Sequence, residues 1–191
     1  MTESEAIGGA KKRGWTKARA ILAGGLVLGV GAAITLAAWN DGEFAKGIFS
    51  SGKFGIEGSI DGTNFSEHPD AASAATLNFQ VGADKLAPSD TVYAGFAVRL
   101  KSDSTNQAAV VMTQNATSAI PGTTATHKIT TSATCNQAAF DASTDSGTSF
   151  NLTALNSPVF VCFKVTADNT LQQGQSGSII WDFAATSTGA L

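Results

Sequence analysis

The feature that most restricts this chain is a two-residue alternation of apolar and polar side chains, which recurs beyond residue 46 and leaves little room for a helical period. In TVYAGFAVRL, Val92, Phe96, Val98 and Leu100 alternate with Tyr93, Gly95 and Arg99. An extended chain therefore has one buried face and one wetter face here. Val159, Val161, Phe163 and Val165 form such a face in PVFVCFKVTA, and Ile179, Trp181 and Phe183 form another in SIIWDFAA. Shorter strands are expected in TLNFQV (Leu77, Phe79, Val81), AAVVMTQ around Val110 and Met112, HKITTSA around Ile129 and SFNLTAL with Phe150 and Leu152. Ile48, Phe54, Ile56 and Ile60 also share one parity. Only PDAASAATL, residues 69–77, reads as a short helix.

Many strands separated by Gly, Ser, Thr, Asn and Asp turns imply an all-β fold, an antiparallel β-sandwich of jelly-roll or immunoglobulin-like kind. NATSAIPGTTAT and DASTDSGTSF are expected as exposed loops, because their backbone groups would be hard to satisfy if buried. A length of 191 residues suits one such domain behind a targeting segment.

Charge is distributed unevenly. Lys11, Lys12, Arg13, Lys17 and Arg19 are five of the 12 basic residues, whereas Glu3 and Glu5 are two of the 15 acids. From Ala38 onward the balance is acidic, which excludes nucleic acid as a partner, since that binding rests on neutralised phosphates. The basic stretch precedes AILAGGLVLGVGAAITLAAW, residues 20–39, which holds no charge. This pattern reads as a signal peptide over residues 1–37 with a hydrophobic helix, and basic residues on its amino side keep that end in the cytoplasm. The run is long enough to serve instead as an uncleaved anchor, the one expected link to a membrane. Gly24, Gly25, Gly29 and Gly31 lower its helix propensity and favour the transient signal. The rest, residues 38–191, is expected to be one secreted domain with a mobile segment at about 38–49.

Cys135 and Cys162 are the two cysteines, both in the exported part, and a disulfide is the natural reading; two free thiols are the alternative. A zinc site finds no ligand-like spacing among these and the two histidines, His68 and His127.

The Ala-rich end of the signal, AAWND, a short polar spacer and FSSGKFGI together resemble the TasA/camelysin family of exported proteins of Gram-positive bacteria, processed by a SipW-type signal peptidase. LAPSDTVYAGFAVRL from Leu86 is similar to that family's Leu-x-Pro-Gly-Asp turn and strand, with Ser89 where Gly is common. LQQGQSGSIIWDF from Leu171 is similar to its late turn and strand. The resemblance implies cleavage between Ala37 and Ala38, with Trp39, Asn40 and Asp41 marking the border between helix and extended chain. It further implies self-association into matrix fibres, in which an amino-terminal segment of one subunit completes a sheet of its neighbour. Phe44, Ile48 and Phe49 are the apolar anchors of that donor segment, unless the same residues form the first strand of their own domain.

Camelysin-like relatives have been described as metalloproteases, yet no His-Glu-x-x-His occurs here. His68 precedes Pro69, which opposes helix at that point, and with Glu67 and Asp70 it reads as a solvated loop rather than a cation site. No Gly-x-Ser-x-Gly elbow, phosphate loop or dinucleotide fingerprint is present. The chain is thus expected to be no enzyme, with no catalytic residue, metal or cofactor. Two readings remain: a surface or matrix subunit assembling by strand addition, and a monomeric secreted module that binds through its Ser/Thr-rich loops.

Overall fold

The computed structural model describes residues 15, 17–25, 41–80 and 85–191. The chain divides into units Met1–Phe49 and Ser50–Leu191. In the first, described residues are helical at 15 and 17–25, irregular at 41–49, and exposed throughout. Among the described residues no helix is long and apolar enough to cross a membrane. The apolar run beyond residue 25, the expected cleavage pair Ala37 and Ala38, and Trp39 and Asn40 lie outside the described residues, as does Val81.

The second unit is mostly β. Its strands are β1 (Ile56–Ser59), β2 (Thr91–Leu100), β3 (Asn106–Asn115), β4 (Thr123–Thr130), β5 (Ser149–Leu152), β6 (Val159–Ala167) and β7 (Ile180–Ala190). They form a four-stranded sheet in the order β1-β2-β6-β4 and a three-stranded sheet in the order β5-β3-β7. All neighbours are antiparallel. Among these pairs only β1 and β2 are consecutive in sequence, and residues 60–90 separate them. From β2 onward every connection carries the chain from one sheet to the other, so nearly all pairing is non-local and folding must close long loops first.

The alternation in the sequence explains the core. Val98 and Leu100 of β2 meet Ala108 and Val110 of β3 and Leu152 of β5, with Phe96, Phe150 and Phe183 packed against them. Beside this lies a second cluster of Met112, Val161 and Phe163. These side chains come from the inner faces of both sheets, which is the arrangement of a β-sandwich.

The expected wetter face of β2 is a correction. Tyr93 is only 8% exposed, because the segment after β4 folds back over the outer face of the larger sheet at Tyr93, Gly95 and Cys162. That segment carries the disulfide between Cys135 and Cys162 and a helix, α1 (Gln137–Ala142). Asn136 caps α1 by accepting from the Ala139 amide at 2.9 Å. The helix sets Phe140 against Tyr93, with ring centroids 6.0 Å apart. The ammonium groups of Lys128 and Lys164 lie 4.8 and 4.6 Å from the centre of the Phe140 ring. Burial, followed by the nearby Asp141 charge, pushes the Tyr93 hydroxyl pKa up. Gly95 permits this cover: a Cβ there would lie 2.9 Å from the Ala133 carbonyl oxygen and 3.3 Å from the Cys135 Cβ.

Four further expectations meet the structure differently. Residues 69–77 yield one 3-10 turn, Ala71–Ser73, closed by a reciprocal cap between Asp70 and Ser73. Leu77 and Phe79 carry no strand although they pack on the core. Of Ile48, Phe54, Ile56 and Ile60, Ile56 alone lies in β1, since the pairing with β2 spans only four residues. In DASTDSGTSF, Asp141 and Ala142 finish α1 and Ser149 and Phe150 begin β5, so the exposed loop is shorter than expected. The turn before β2 forms as expected: the Asp90 amide donates to the Ala87 carbonyl at 3.0 Å, with Ser89 at φ 77° in the left-handed region.

Candidate functional site: a free sheet edge beside an aromatic groove

The strand order leaves β1, β4, β5 and β7 at sheet edges. Three of these are short or covered. β1 and β5 have four residues each, and the Gly58 and Ser66 backbones bridge β1 on its far side. The edge of β4 receives residues 143–147: the Ile129 amide donates to the Asp145 carbonyl at 2.8 Å, and the Lys128 ammonium donates to the Ser143 carbonyl at 2.6 Å. β7 differs. It runs for 11 residues, pairs with β3 on one side, and among the described residues has no strand on the other. It carries one charged side chain, Asp182, and no proline, and its one irregularity is a register shift against β3 near its end, opposite Asn106 and Ala108, so its first half is little blunted as an edge.

Beside the first half of β7 the two sheets part to form a groove of about 980 Å³. Its walls include Phe96 and Phe163 from the larger sheet and Trp181 and Phe183 from β7, with Leu77 and Phe79 lying over them. Trp181 stacks on Phe163 with ring centroids 4.2 Å apart, and Phe96 lies 5.4 Å from Phe183. The Trp181 indole N–H donates to Gln114 Oε1 at 3.0 Å, which fixes the ring plane at the mouth. Gly58 is needed under this wall, since a Cβ there would meet the Phe96 ring at 2.3 Å.

Asp70 and Asp182 also line the groove. The Asp70 carboxyl is held below its ordinary pKa by the Ser73 hydroxyl and then by the Ser73 amide. His68 contacts the Ser66 hydroxyl at 3.2 Å and lies against Phe96 at 6.5 Å. Glu67 pairs with Lys101 at 3.0 Å, and that hydrogen bond is the main cause that raises the Lys101 pKa. Glu67, His68 and Asp70 are therefore each engaged separately. Among the described residues no group of three or more His, Cys, Asp or Glu side chains is placed to hold a metal ion.

Of the site residues named from sequence, Cys135 and Cys162 are brought together, with Cα atoms 5.2 Å apart. Phe44, Ile48 and Phe49 are 96%, 83% and 92% exposed and belong to no strand. Asp41 is exposed and irregular. The groove and the open edge of β7 were not foreseen. Trp181 was legible as a strand residue, but which sheet β7 joins, and at which end, follows from pairing with a strand some 70 residues earlier.

No protein-family model matches the chain, and no curated protein matches it in sequence.

Proposed function

We propose that the protein is a secreted surface or matrix subunit that assembles into filaments, the exposed segment at 41–49 of one copy adding as a strand to the free edge of β7 in the next. One observation carries this reading: an 11-residue edge with no strand beside it among the described residues borders an aromatic groove, in a chain that also presents exposed Phe44, Ile48 and Phe49. Strand addition supplies the missing ladder of amide–carbonyl bonds, and alternate side chains enter the groove. At roughly 3.3 Å per residue, Phe44 and Ile48 lie about 13 Å apart on one face of an extended chain. Lys46 falls between them, and its aliphatic stem can run along the wall while the ammonium reaches Asp70 or Asp182 at the rim.

The contact is head-to-tail and does not close on itself, so it propagates as a filament. Export is part of the proposal. The basic amino end and uncharged run at 20–39 support it, as does a disulfide, which persists in oxidising compartments. Of the jelly-roll and immunoglobulin-like plans, the alternation of successive strands between the sheets from β2 onward supports the jelly roll.

The test is negative-stain electron microscopy of residues 38–191 at rising concentration, beside a form extended before Ala38 and a form beginning at Ser50. Filaments from 38–191 alone are expected. Equal filament yield from the form lacking 38–49 sinks the donor-strand mechanism, and monodisperse particles throughout leave the monomeric binding module.

A further inference from the structure

Residues 74–80 are written like a strand and held like a loop. Ala75, Leu77 and Phe79 are half-buried while Ala74, Thr76, Asn78 and Gln80 are exposed, the two-residue alternation of a strand against a sheet. Leu77 and Phe79 pack on Met112, Val161 and Phe163, the cluster that also receives Trp181 and Phe183. The backbone tells a different story. Among the described residues, one bond ties this segment to the rest of the domain, from the Gln80 amide to the Tyr93 carbonyl at 3.1 Å; the other, from the Phe79 amide to the Leu77 carbonyl, is internal. Among the described residues, β1 pairs only with residues 97–100 of the neighbouring edge of β2, and the Gln80 amide alone reaches the part before them.

The preceding turn does not anchor the segment. Its reciprocal bonds run between Asp70 and Ser73, both exposed, and Ala71, Ala72 and Ala74 offer little side chain to bury. A segment whose described residues are kept in place by three half-buried side chains, two of them large, and one amide belongs to the part of a fold that opens first.

We propose that this strap is a place-holder: Leu77 and Phe79 line the groove and cover its aromatic wall in the free subunit, and the strap must lift before an incoming donor segment can lodge against that wall. The inference rests on the donor-strand reading above and adds its regulation. In the exchange, two large apolar side chains of the strap give way to two of similar size, Phe44 and Ile48, so burial changes little. The difference lies in the backbone, since the donor gains a ladder along β7 where the strap, among the described residues, has a single bond to the rest of the domain. The exchange is therefore downhill once started and slow to start. Free subunits stay soluble, while filaments grow after a lag.

The test is a Leu77→Cys variant of residues 38–191, purified with the native disulfide intact, so that the new thiol is the one free cysteine. Maleimide labelling is expected to be slow in the monomer and about tenfold faster in filaments, where the strap has left the groove. Labelling equally slow or slower in filaments overturns the place-holder while leaving strand addition standing. Absence of filaments from the unsubstituted chain overturns strand addition and the strap with it. In parallel, Leu77→Ala with Phe79→Ala is expected to shorten the lag; a longer lag in a variant that keeps the native circular dichroism means the strap builds the acceptor instead, and refutes the proposal.

Discussion

Removing the disulfide is the perturbation whose size follows most directly from the structure. Cys135 and Cys162 are 27 residues apart in sequence, and the loop between them contains α1 and β5. In the chain-entropy treatment a loop of that length restricts the unfolded state by about 3.5 kcal/mol at 25 °C. Cys162 is fully buried beside Tyr93 and Phe140, so replacing its sulfur with nothing larger than a methyl group adds about 1 kcal/mol for lost packing. The double variant Cys135→Ala/Cys162→Ala should therefore lose about 4 to 5 kcal/mol. For a domain of this size that corresponds to a fall in Tm of roughly 10 to 15 °C. Urea unfolding followed by circular dichroism reads both the loss and its origin: freeing the unfolded chain exposes more surface, so the m-value of the variant should exceed that of the oxidised protein. A loss below about 1 kcal/mol with an unchanged m-value would refute the reasoning, for it would mean the unfolded chain is no freer without the bond.

Two smaller predictions concern turns. Ser89 sits at φ 77° after Pro88, where glycine is free of strain. Ser89→Gly should relieve about 1 to 2 kcal/mol of backbone strain, partly offset by greater freedom of the unfolded chain, for a net gain of about 0.5 to 1 kcal/mol in urea unfolding; a net loss would contradict the strained-turn assignment. Asp61 accepts from the Thr63 and Asn64 amides at 2.7 Å each, from the Asn64 side-chain amide and from the Ser59 hydroxyl. These bonds, the Asn64 backbone amide foremost, hold its carboxyl far below the usual carboxylate range. Because the folded pKa is depressed, the stabilisation is present above the ordinary Asp value and is lost only as pH falls through the folded one. NMR titration of the carboxyl carbons should show Asp61 still ionised at about pH 3, where an unperturbed aspartate is mostly protonated, and co-titration with the exposed Asp side chains would rule the hydrogen-bonded loop out.

Much of the fold is legible in single stretches of sequence. The alternation in residues 91–100 and 159–167 puts β2 and β6 in the interior, and the dearth of helical period excludes any layered α/β plan. What misled was local brevity or distant cover. α1 has six residues, too few to display a period of 3.6 against its surroundings. Tyr93 reads as a wet position until a segment some 40 residues later is laid over it. Leu77 and Phe79 show strand alternation, but a strand exists only where a partner offers its hydrogen-bonding edge, and among the described residues here a single amide finds one.

By itself, then, the sequence determined the class of fold, the faces that must be apolar and the residues free to bond as cysteines, because those depend on side-chain period and composition along the chain. The tertiary structure alone decided the strand order, the place of β7 at a sheet edge, the groove beside it and the cover over the outer face of β2. These features depend on which distant strands share a ladder, and each such pairing is set by the packing of the whole sandwich rather than by any run of neighbouring residues.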